Sequence, residues 1–297
     1  MTFFLLMLLS GNLFSQSSVE GYVKSEADNR ILPFSNAYIS NTSVGTITDS
    51  FGYFKLFIPD SLFDRDLIIQ HLGYHNDTLD VTDVINGNQI VYLTQSNVDL
   101  PLYEVRSKKN SKNLKRKRRG SKRNQNDGFY YGIAGDETAL FISNEDQSKG
   151  YISKVRFYIT DKGNSENPFR VRLYQIDEKT QAPGKAILNV SIIASASEGN
   201  EWVNINLLKY AIKLPKNGFF ISMEWLPPKT NNETTNSVEN KLNTYNALGA
   251  TDEFGMIGLT YLRNYRGDWI VPIIPMNSIN VLNAKIGAEI LIRKNND

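Results

Sequence analysis

Hydrophobic and polar residues alternate with a period of two along most of this chain, a pattern that predicts β-strands. In the first hundred residues, short patterned segments are separated by turn residues at intervals of about 8–12 positions, which is typical of a β-sandwich. Seven strands are predicted there: Val19–Lys24, Ala37–Ile39, Gly45–Thr48, Tyr53–Ile58, Leu67–Leu72, Thr78–Val81 and Gln89–Leu93. Asp49-Ser-Phe-Gly52 has the residues of a tight turn, because Asp accepts backbone N–H bonds and Gly tolerates positive φ.

The second half of the chain, residues 126–297, predicts a larger jelly-roll-type β-sandwich of about eight to ten strands. In the segment 168–174, Phe169 and Val171 are expected on the core face, while Arg170 and Arg172 point away from it. No long helix is predicted, although Asn206–Tyr210 has the residues for a single turn. The clearest strands are Thr138–Ser143, Tyr151–Thr160, Pro168–Tyr174, Ile187–Ala194, Trp202–Leu207, Gly218–Trp225 and Gly287–Arg293.

The first residues have the pattern of an export signal. Phe3–Leu9 is a short apolar run followed by small and polar residues, which fits a signal peptide over residues 1–15, although the usual positive residues before the run are missing. We therefore expect an exported protein in the periplasm, in the outer membrane or at the cell surface. No other segment has the length and apolar content of a transmembrane helix.

A run of basic residues, Arg106–Arg123, separates the two patterned regions. It holds 11 of the 33 Lys and Arg residues and no acidic residue, so the rest of the chain has a net charge of −9 although the whole has +2. With so little apolar surface, this run is expected to be part of a disordered, flexible linker over residues 98–125. The predicted organisation is therefore a signal peptide (1–15), a first sandwich (17–97), the linker and the larger sandwich.

The first sandwich resembles a known family. Val19-x-Gly-x-Val23, Leu32-Pro33, Thr48-Asp49-x-x-Gly52-x-Phe54 and Leu72-Gly-Tyr74 occur in the order found in the carboxypeptidase regulatory-like domain. Further matching positions are Ala37, Gly45-Thr46, Ile90-x-x-Leu93 and the trailing segment Val98–Val105. The resemblance implies a prealbumin-like or Ig-like sandwich of seven strands, of a kind common in envelope proteins of Bacteroidetes-type bacteria.

The same resemblance implies an accessory role rather than catalysis. Zinc carboxypeptidase activity requires a His-x-x-Glu metal pair in a separate catalytic domain, and neither His71 nor His75 is followed by Glu at that spacing. The two histidines lie in a strand pattern that breaks at Gly73, and four residues along a strand span about 13 Å, too far for one metal ion. We therefore interpret them as a strand residue and a loop residue.

Composition excludes several kinds of chemistry. The chain has no cysteine, so disulfides, thiolate catalysis and cysteine-bound metals are absent. The larger predicted domain has no histidine, which removes the usual base for a nucleophilic serine. No Gly-x-Ser-x-Gly, His-Glu-x-x-His or phosphate-binding loop motif occurs. A hydrolase with paired carboxylates stays open, because the spatial pairing of Asp and Glu is not visible in a sequence.

One segment of the larger domain is a candidate ligand site. Aromatic and basic residues interleave in a predicted loop at Tyr261, Arg263, Tyr265, Arg266 and Trp269, with a hairpin closing on Gly267 as the alternative. Trp202 and Trp225 lie in strand patterns and are expected in the core. The polar segment Lys229–Lys241 is expected to form a loop.

No cofactor is predicted. Oxygen-rich segments at Asn144–Asp146 and Asp161–Glu166 have the ligand type that calcium prefers, but neither has the spacing of a defined calcium loop.

Three functions remain in competition. The leading hypothesis is a non-catalytic exported envelope protein that acts as an accessory binding or structural module. The alternatives are a glycan-binding accessory protein of a polysaccharide-uptake system and a glycoside hydrolase-like enzyme with two carboxylates. Expected partners are a surface glycan, an anionic lipid or an outer-membrane protein, and not nucleic acid.

The basic run has two interpretations. It is either a solvated spacer or a docking element for anionic lipid or polysaccharide. In the second case the densest part of the run would make the contact, at Lys115, Arg116, Lys117, Arg118 and Arg119.

Overall fold

The computed structural model describes residues 17–96, 114–228, 245–265, 267–272 and 280–293. Almost all regular structure in these ranges is β-strand, which confirms the all-β prediction. None of the helices in the described ranges is long and apolar enough to cross a membrane. The predicted signal peptide, the loop at Lys229–Lys241 and most of the predicted linker lie outside the described residues.

The described part of the first unit is a sandwich of seven strands, as predicted. One sheet has the order β4-β1-β7 and the other has the order β3-β2-β5-β6. The strands are β1 (Ser18–Ser25), β2 (Asn36–Ile39), β3 (Gly45–Ile47), β4 (Tyr53–Phe57), β5 (Asp66–Gln70), β6 (Asp77–Asp80) and β7 (Asn88–Leu93). A single helical turn, α1 (Val81–Val84), connects β6 to β7.

The local sequence explains how this unit turns and packs. The Asp49 carboxylate accepts hydrogen bonds from the backbone of Phe51 (2.8 Å) and Tyr53 (3.0 Å), and Gly52 has φ of 72°, as the turn prediction requires. The alternating apolar residues of both sheets meet in one core, which includes the fully buried Val23 and Ile69. The first unit thus has its own hydrophobic core.

The larger unit consists of two packed sheets with six and seven strands in the described residues, more than the eight to ten predicted. The six-stranded sheet has the order β13-β12-β16-β10-β18, with β14 also paired to β12. Its strands are β10 (Asp136–Ser143), β12 (Phe169–Ile176), β13 (Pro183–Ala186), β14 (Ile192–Ala194), β16 (Gly218–Trp225) and β18 (Thr260–Asn264).

The seven-stranded sheet has the order β19-β17-β11-β20-β8, with β15 also paired to β11 and β9 to β17. Its strands are β8 (Leu114–Gly120), β9 (Gly128–Tyr130), β11 (Gly150–Gly163), β15 (Glu201–Asn206), β17 (Asn246–Thr251), β19 (Asn283–Ala284) and β20 (Ile286–Arg293).

The core of the larger unit lies between its two sheets. Phe157 of β11 packs against Phe169 of β12 with ring centroids 5.2 Å apart, and Trp225 is 1% exposed, which confirms the prediction that it is a core residue. Trp202 differs, because it lies partly buried on the outer face of the seven-stranded sheet and stacks on Arg156. Every residue of β16 is buried, so a second layer must also cover the outer face of the six-stranded sheet.

The prediction of a disordered linker is wrong for residues 114–120. These residues form β8, an edge strand paired antiparallel to β20. Two favourable interactions that composition alone does not reveal stabilise it. β20 forms backbone hydrogen bonds with it along one side, and the Asp146 carboxylate forms ion pairs with both Lys117 and Arg119. Charge on an edge strand also discourages pairing with other chains.

Two smaller predictions have mixed outcomes. The expected turn at Asn206–Tyr210 is confirmed by a 3-10 turn at Leu208–Tyr210. The strand predicted at Ile187–Ala194 is wrong in extent, because the chain pairs with β12 twice, through β13 and β14, and Ile187–Ser191 lies between the two pairings.

Candidate binding cleft

The outer face of the six-stranded sheet has an unusual composition for a buried surface. On β12, Phe169 and Val171 point into the core, so Arg170 and Arg172 point outward, as the alternation predicts. These two arginines are nevertheless only 1% and 4% exposed. Buried arginines require partners, because an unpaired charge away from water is strongly unfavourable.

Acidic residues on the neighbouring strands provide those partners. Glu224 of β16 lies directly opposite Arg170 in the strand register, with 3.2 Å between Nη1 of Arg170 and Oε2 of Glu224. Arg172 donates to the same carboxylate through Nε. Glu137 of β10 is paired in register with Glu224, so two carboxylates lie side by side on this face.

The second carboxylate, Glu137, is bound by the edge strand of the sheet. Arg263 of β18 donates to Oε2 of Glu137 through Nε (2.8 Å) and Nη2 (2.6 Å). The Tyr174 hydroxyl donates to Oε1 of Glu137 at 2.7 Å, and Ser222 donates to the same oxygen. The guanidinium of Arg263 also stacks on Trp269, 4.3 Å from a ring centroid. We call Glu137, Arg170, Arg172, Glu224 and Arg263 the buried charge cluster.

The first unit covers part of this cluster and leaves a cleft beside it. Arg170 donates to the backbone carbonyl of Phe34 in the first unit and, at 3.0 Å, to the hydroxyl of Ser191. The cleft has a volume of about 370 Å³, within the range of small-ligand sites. The first unit contributes Gln70, His71, Leu72, Gly73, Tyr74 and Ser96 to its walls, and the larger unit contributes Arg172, Tyr174, Gly184, Ala186, Asn189 and Arg263.

The histidine on the first-unit wall is neutral under ordinary conditions. His71 follows β5 directly, and its Nδ1 lies 2.8 Å from the Ser35 hydroxyl. Burial is the main cause that lowers the pKa of His71 to about 4, and the nearby cations Arg170, Arg30 and Arg172 contribute to the same shift. Its ring packs edge-on against Tyr74 at 5.3 Å.

The arginines of the buried charge cluster stay protonated despite their burial. Burial opposes the charged form of Arg172, but Glu224 more than offsets it, and the pKa of Arg172 is raised. The same balance with Glu137 raises the pKa of Arg263. Burial lowers the pKa of Arg170, but a guanidinium has so high an ordinary pKa that it keeps its proton at neutral pH.

The two adjacent carboxylates test the hydrolase alternative. In a glycosidase, both carboxyl groups of the pair must reach the substrate, and one of the two must carry a proton. Glu137 and Glu224 instead accept hydrogen bonds from three arginines, which favours the ionised form of both, and neither lines the cleft. This arrangement is suited to holding arginines in place.

The segment predicted as a ligand loop is an edge strand and hairpin instead. Tyr261 and Arg263 lie in β18. Backbone hydrogen bonds between Leu262 and Ile270 form a hairpin, the alternative that the sequence left open. Strand pairing with β10 explains the difference, because it extends the sheet to residue 264.

The members of that predicted site have different surroundings. Arg263 lines the cleft, and its guanidinium stacks on Trp269, which is not one of the cleft's lining residues. Tyr261 packs edge-on against Phe220 at 5.2 Å, away from the cleft lining. Tyr265 has φ of 35° and lies close to Gly135. Arg266 lies outside the described residues.

The five residues predicted for anionic docking all lie in β8. Lys115, Arg116 and Arg118 are exposed, whereas Lys117 and Arg119 are partly buried by their ion pairs with Asp146. Arg116 lies 3.7 Å from Glu289 on the outer face of the sheet. The structure therefore separates three exposed cations from two that stabilise the strand.

In the first oxygen-rich segment considered for calcium, the Asn144 amide nitrogen and the Asp146 carboxylate contact other parts of the protein. The Asn144 amide donates to three backbone carbonyls, those of Ser148, Pro215 and Lys216, and Asp146 pairs with β8. Across the ranges that the structure describes, no three His, Asp or Glu side chains are grouped as a metal site would require.

Of the residues that the sequence predicts for a ligand site, Arg263 is one that lines the cleft. Arg172 and His71 also line the cleft but are not among the predicted site residues, since His71 is interpreted from the sequence as a strand residue. The signal for Arg172 was its alternation with Phe169 and Val171 in a strand, which placed it on the second face. What the pattern did not reveal is that another unit covers that face.

The comparisons with known proteins identify the first unit. The family model of the CarboxypepD_reg-like domain matches residues 19–105. No curated protein matches the chain. A solved structure of the infectious bursal disease virus Gx strain aligns over 94% of this chain at 9% identity with a TM-score of 0.19, too low to carry an argument. The chain spans 66% of that structure, just under two thirds of its length. Residues 19–105 are therefore a CarboxypepD_reg-like domain, a non-catalytic Ig-like module.

Proposed function

We propose that this protein is a non-catalytic accessory module of the bacterial cell envelope that binds a small ligand between its two β-sandwiches. The CarboxypepD_reg-like domain supports the accessory role, and the apolar run Phe3–Leu9 supports export. A chain without cysteine needs no disulfides to fold outside the cell.

The observation that carries the proposal is the cleft of about 370 Å³ with one wall from each unit. Ligand sites are often found where two domains meet, because the two surfaces leave a concave space. Here, polar groups that converge on the cleft include His71, Tyr74, Asn189 and Arg263.

The Ser35–His71 pair does not support catalysis. Ser35 has no exposed surface, so a substrate cannot reach its hydroxyl. A histidine with a pKa of about 4 is also a weak base at neutral pH. Binding without turnover is therefore the function that this geometry supports best.

The proposal is tested by measuring binding and turnover on the same samples. The full-length protein is screened against glycans and short peptides, and each mixture is analysed for hydrolysis products. We expect ligands that bind and are recovered unchanged. Hydrolysis that is abolished by Glu137→Gln or Glu224→Gln, in variants that remain folded, would instead establish the carboxylate-pair enzyme.

A glycan is the second candidate ligand class, and Tyr74 of the first-unit wall favours it. Tyr74 lines the cleft and is only partly buried, and aromatic faces pack well against sugar rings. A glycan array should then give hits that weaken with Tyr74→Ala and not with Tyr131→Ala, which removes a tyrosine outside the cleft. Hits that ignore Tyr74→Ala would exclude sugar binding in the cleft.

The envelope location is tested by cell fractionation. We expect the tagged full-length protein in the periplasmic or outer-membrane fraction and the variant that lacks residues 2–15 in the cytoplasm. Recovery of both forms in the cytoplasm would contradict export.

The exposed cations of β8 support a further part of the proposal, attachment to an anionic lipid surface. Lys154 and Arg156 of β11 lie on the same outer face as Arg116 and Arg118, because β20 pairs with both strands. These four residues form a cationic surface, and Lys115 adds an exposed positive charge on the same edge strand. Among the described cross-strand partners of Lys154, Arg156, Arg116 and Arg118, the only acidic residue is Glu289.

A further inference from the structure

The buried charge cluster is not electrically balanced. Among its five described members, three arginines face two glutamates, which leaves one positive charge in excess. His71 adds no charge, because its pKa is about 4. A buried excess charge is unfavourable unless an anion compensates it.

The excess charge borders the cleft. Arg170 is directed away from the cleft lining, since it binds Glu224, Ser191 and the Phe34 carbonyl. Arg172 and Arg263 each bind a glutamate and also line the cleft. Guanidinium groups bind carboxylates through paired N–H donors, so two of them on one wall form an anion-binding surface.

We infer that the cleft binds a small ligand through a single carboxylate group, placed against Arg172 and Arg263. This inference rests on the proposed binding function and names the chemistry of the ligand. A single negative charge matches the excess of one positive charge, whereas a phosphate group brings about −1.5 to −2.

The opposite wall indicates a second property of the ligand. Oε1 of Gln70 is buried and has no hydrogen-bond partner among the described residues. Gln70 belongs to the wall opposite the arginines, so a ligand N–H or O–H group that reaches this acceptor would satisfy it. A sugar acid has a hydroxyl group for this purpose and an acylated amino acid has an amide N–H.

The test is calorimetric titration of the full-length protein with matched probes. d-Glucuronate is compared with glucose, and N-acetylalanine with N-acetylalaninamide, so that each pair differs in its carboxylate. Inorganic phosphate is the fifth probe. We expect at least one carboxylate to bind at least tenfold more tightly than its neutral counterpart and more tightly than phosphate. A difference between d-glucuronate and glucose would indicate a sugar acid as the ligand, and a difference between N-acetylalanine and its amide would indicate an acylated amino acid.

Variants connect the binding to the cleft. Arg172→Gln should weaken carboxylate binding at least tenfold, and Gln70→Leu, which leaves the charge cluster intact, should weaken it several-fold. Arg116→Gln, which removes an exposed arginine from β8, should have no effect. If Arg172→Gln does not fold, Gln70→Leu alone decides whether the binding site is the cleft.

The outcomes separate this inference from the proposed function. Equal affinity for charged and neutral probes, tighter binding of phosphate, or indifference to Gln70→Leu would overturn the carboxylate assignment. The binding function would survive if neutral ligands bound in the cleft. If no probe and no member of the glycan and peptide screen bound, both would be wrong.

Discussion

Arg170 and Glu224 lie opposite each other on neighbouring strands, with 3.2 Å between Nη1 and Oε2 and 1% and 2% of their surfaces exposed. A buried pair of this kind is not strongly stabilising by itself, since both charges lose their hydration. Its consequence is geometric: Glu224 fixes Arg170, which binds the Phe34 carbonyl, and Arg172, which lines the cleft.

Removing the shared carboxylate should therefore destabilise the fold. Glu224→Gln leaves two buried arginines without their ionic partner, so we expect the free energy of unfolding to fall by about 3–5 kcal/mol. Asp64→Asn is the control, because Asp64 forms an exposed pair with Arg65 and should change stability by less than about 1 kcal/mol. Urea unfolding of the three proteins measures both values, and equal stabilities would contradict the structural role of Glu224.

His71 predicts a pH dependence of stability. Its pKa is about 4 in the folded protein, below the ordinary value of 6.5, so the unfolded chain binds more protons between these two pH values. The stability associated with neutral His71 is therefore present above pH 6.5 and is lost as the pH falls toward 4. The full effect is about 3 kcal/mol, from about 1.36 kcal/mol for each pKa unit.

Urea unfolding between pH 7 and pH 4 tests this dependence. The wild type should lose about 3 kcal/mol more than His71→Gln over this range. His75→Gln, which removes the other histidine at an exposed position, should follow the wild type. Identical pH profiles for the wild type and His71→Gln would show that His71 is not buried as described.

The ion pairs of Asp146 should control the edge strand β8. Lys117 and Arg119 hold this carboxylate and keep the pKa of Asp146 well below its usual range. In Asp146→Asn, we expect several-fold faster amide hydrogen exchange over residues 114–120, because the strand loses contacts on one side. Asp161→Asn, which removes an exposed carboxylate elsewhere, is the matched control. Rapid exchange of these amides in the wild type would restore the disordered-linker prediction.

The sequence predicted the local part of this structure well. The seven strands of the first unit, the Asp49–Gly52 turn and the strand at Gly218–Trp225 follow from alternation and turn chemistry, which act over a few residues. Strand β8 was missed because the parts of the chain that stabilise it are distant in sequence: Asp146 is about 30 residues away, and its partner strand β20 lies near the other end of the chain.

The cleft could not be predicted either, because the residues that form the buried charge cluster beside it are still further apart in the sequence. Arg263 and Glu137 are 126 positions apart, and Arg170 and Phe34 are 136 apart. The alternation in the sequence indicates that Arg170 and Arg172 point away from the core. It fits a solvent-exposed face equally well, because water hydrates exposed arginines. Only the covering of this face by the first unit makes them a buried charge cluster.

Attachment to an anionic lipid surface should depend on the three exposed cations of β8. We expect replacement of Lys115, Arg116 and Arg118 by serine to weaken binding to phosphatidylglycerol vesicles roughly 100-fold at low salt, from about 1 kcal/mol per cation. Replacement of the exposed Lys209, Lys213 and Lys216 by serine removes the same charge from another surface and should have much less effect. Co-sedimentation at rising salt measures this, and binding that ignores salt or the first triple variant would contradict it.

The central claim is that a carboxylate binds between the two sandwiches, and NMR of the arginine side chains tests it most directly. The full-length protein, labelled with ¹⁵N-arginine, is titrated with d-glucuronate and with N-acetylalanine. We predict that at least one probe produces its largest shifts at the Nε–H signals of Arg172 and Arg263, with smaller changes at Arg170 and none at Arg116. Shifts confined to the arginines of β8, or none at any arginine, would contradict the account.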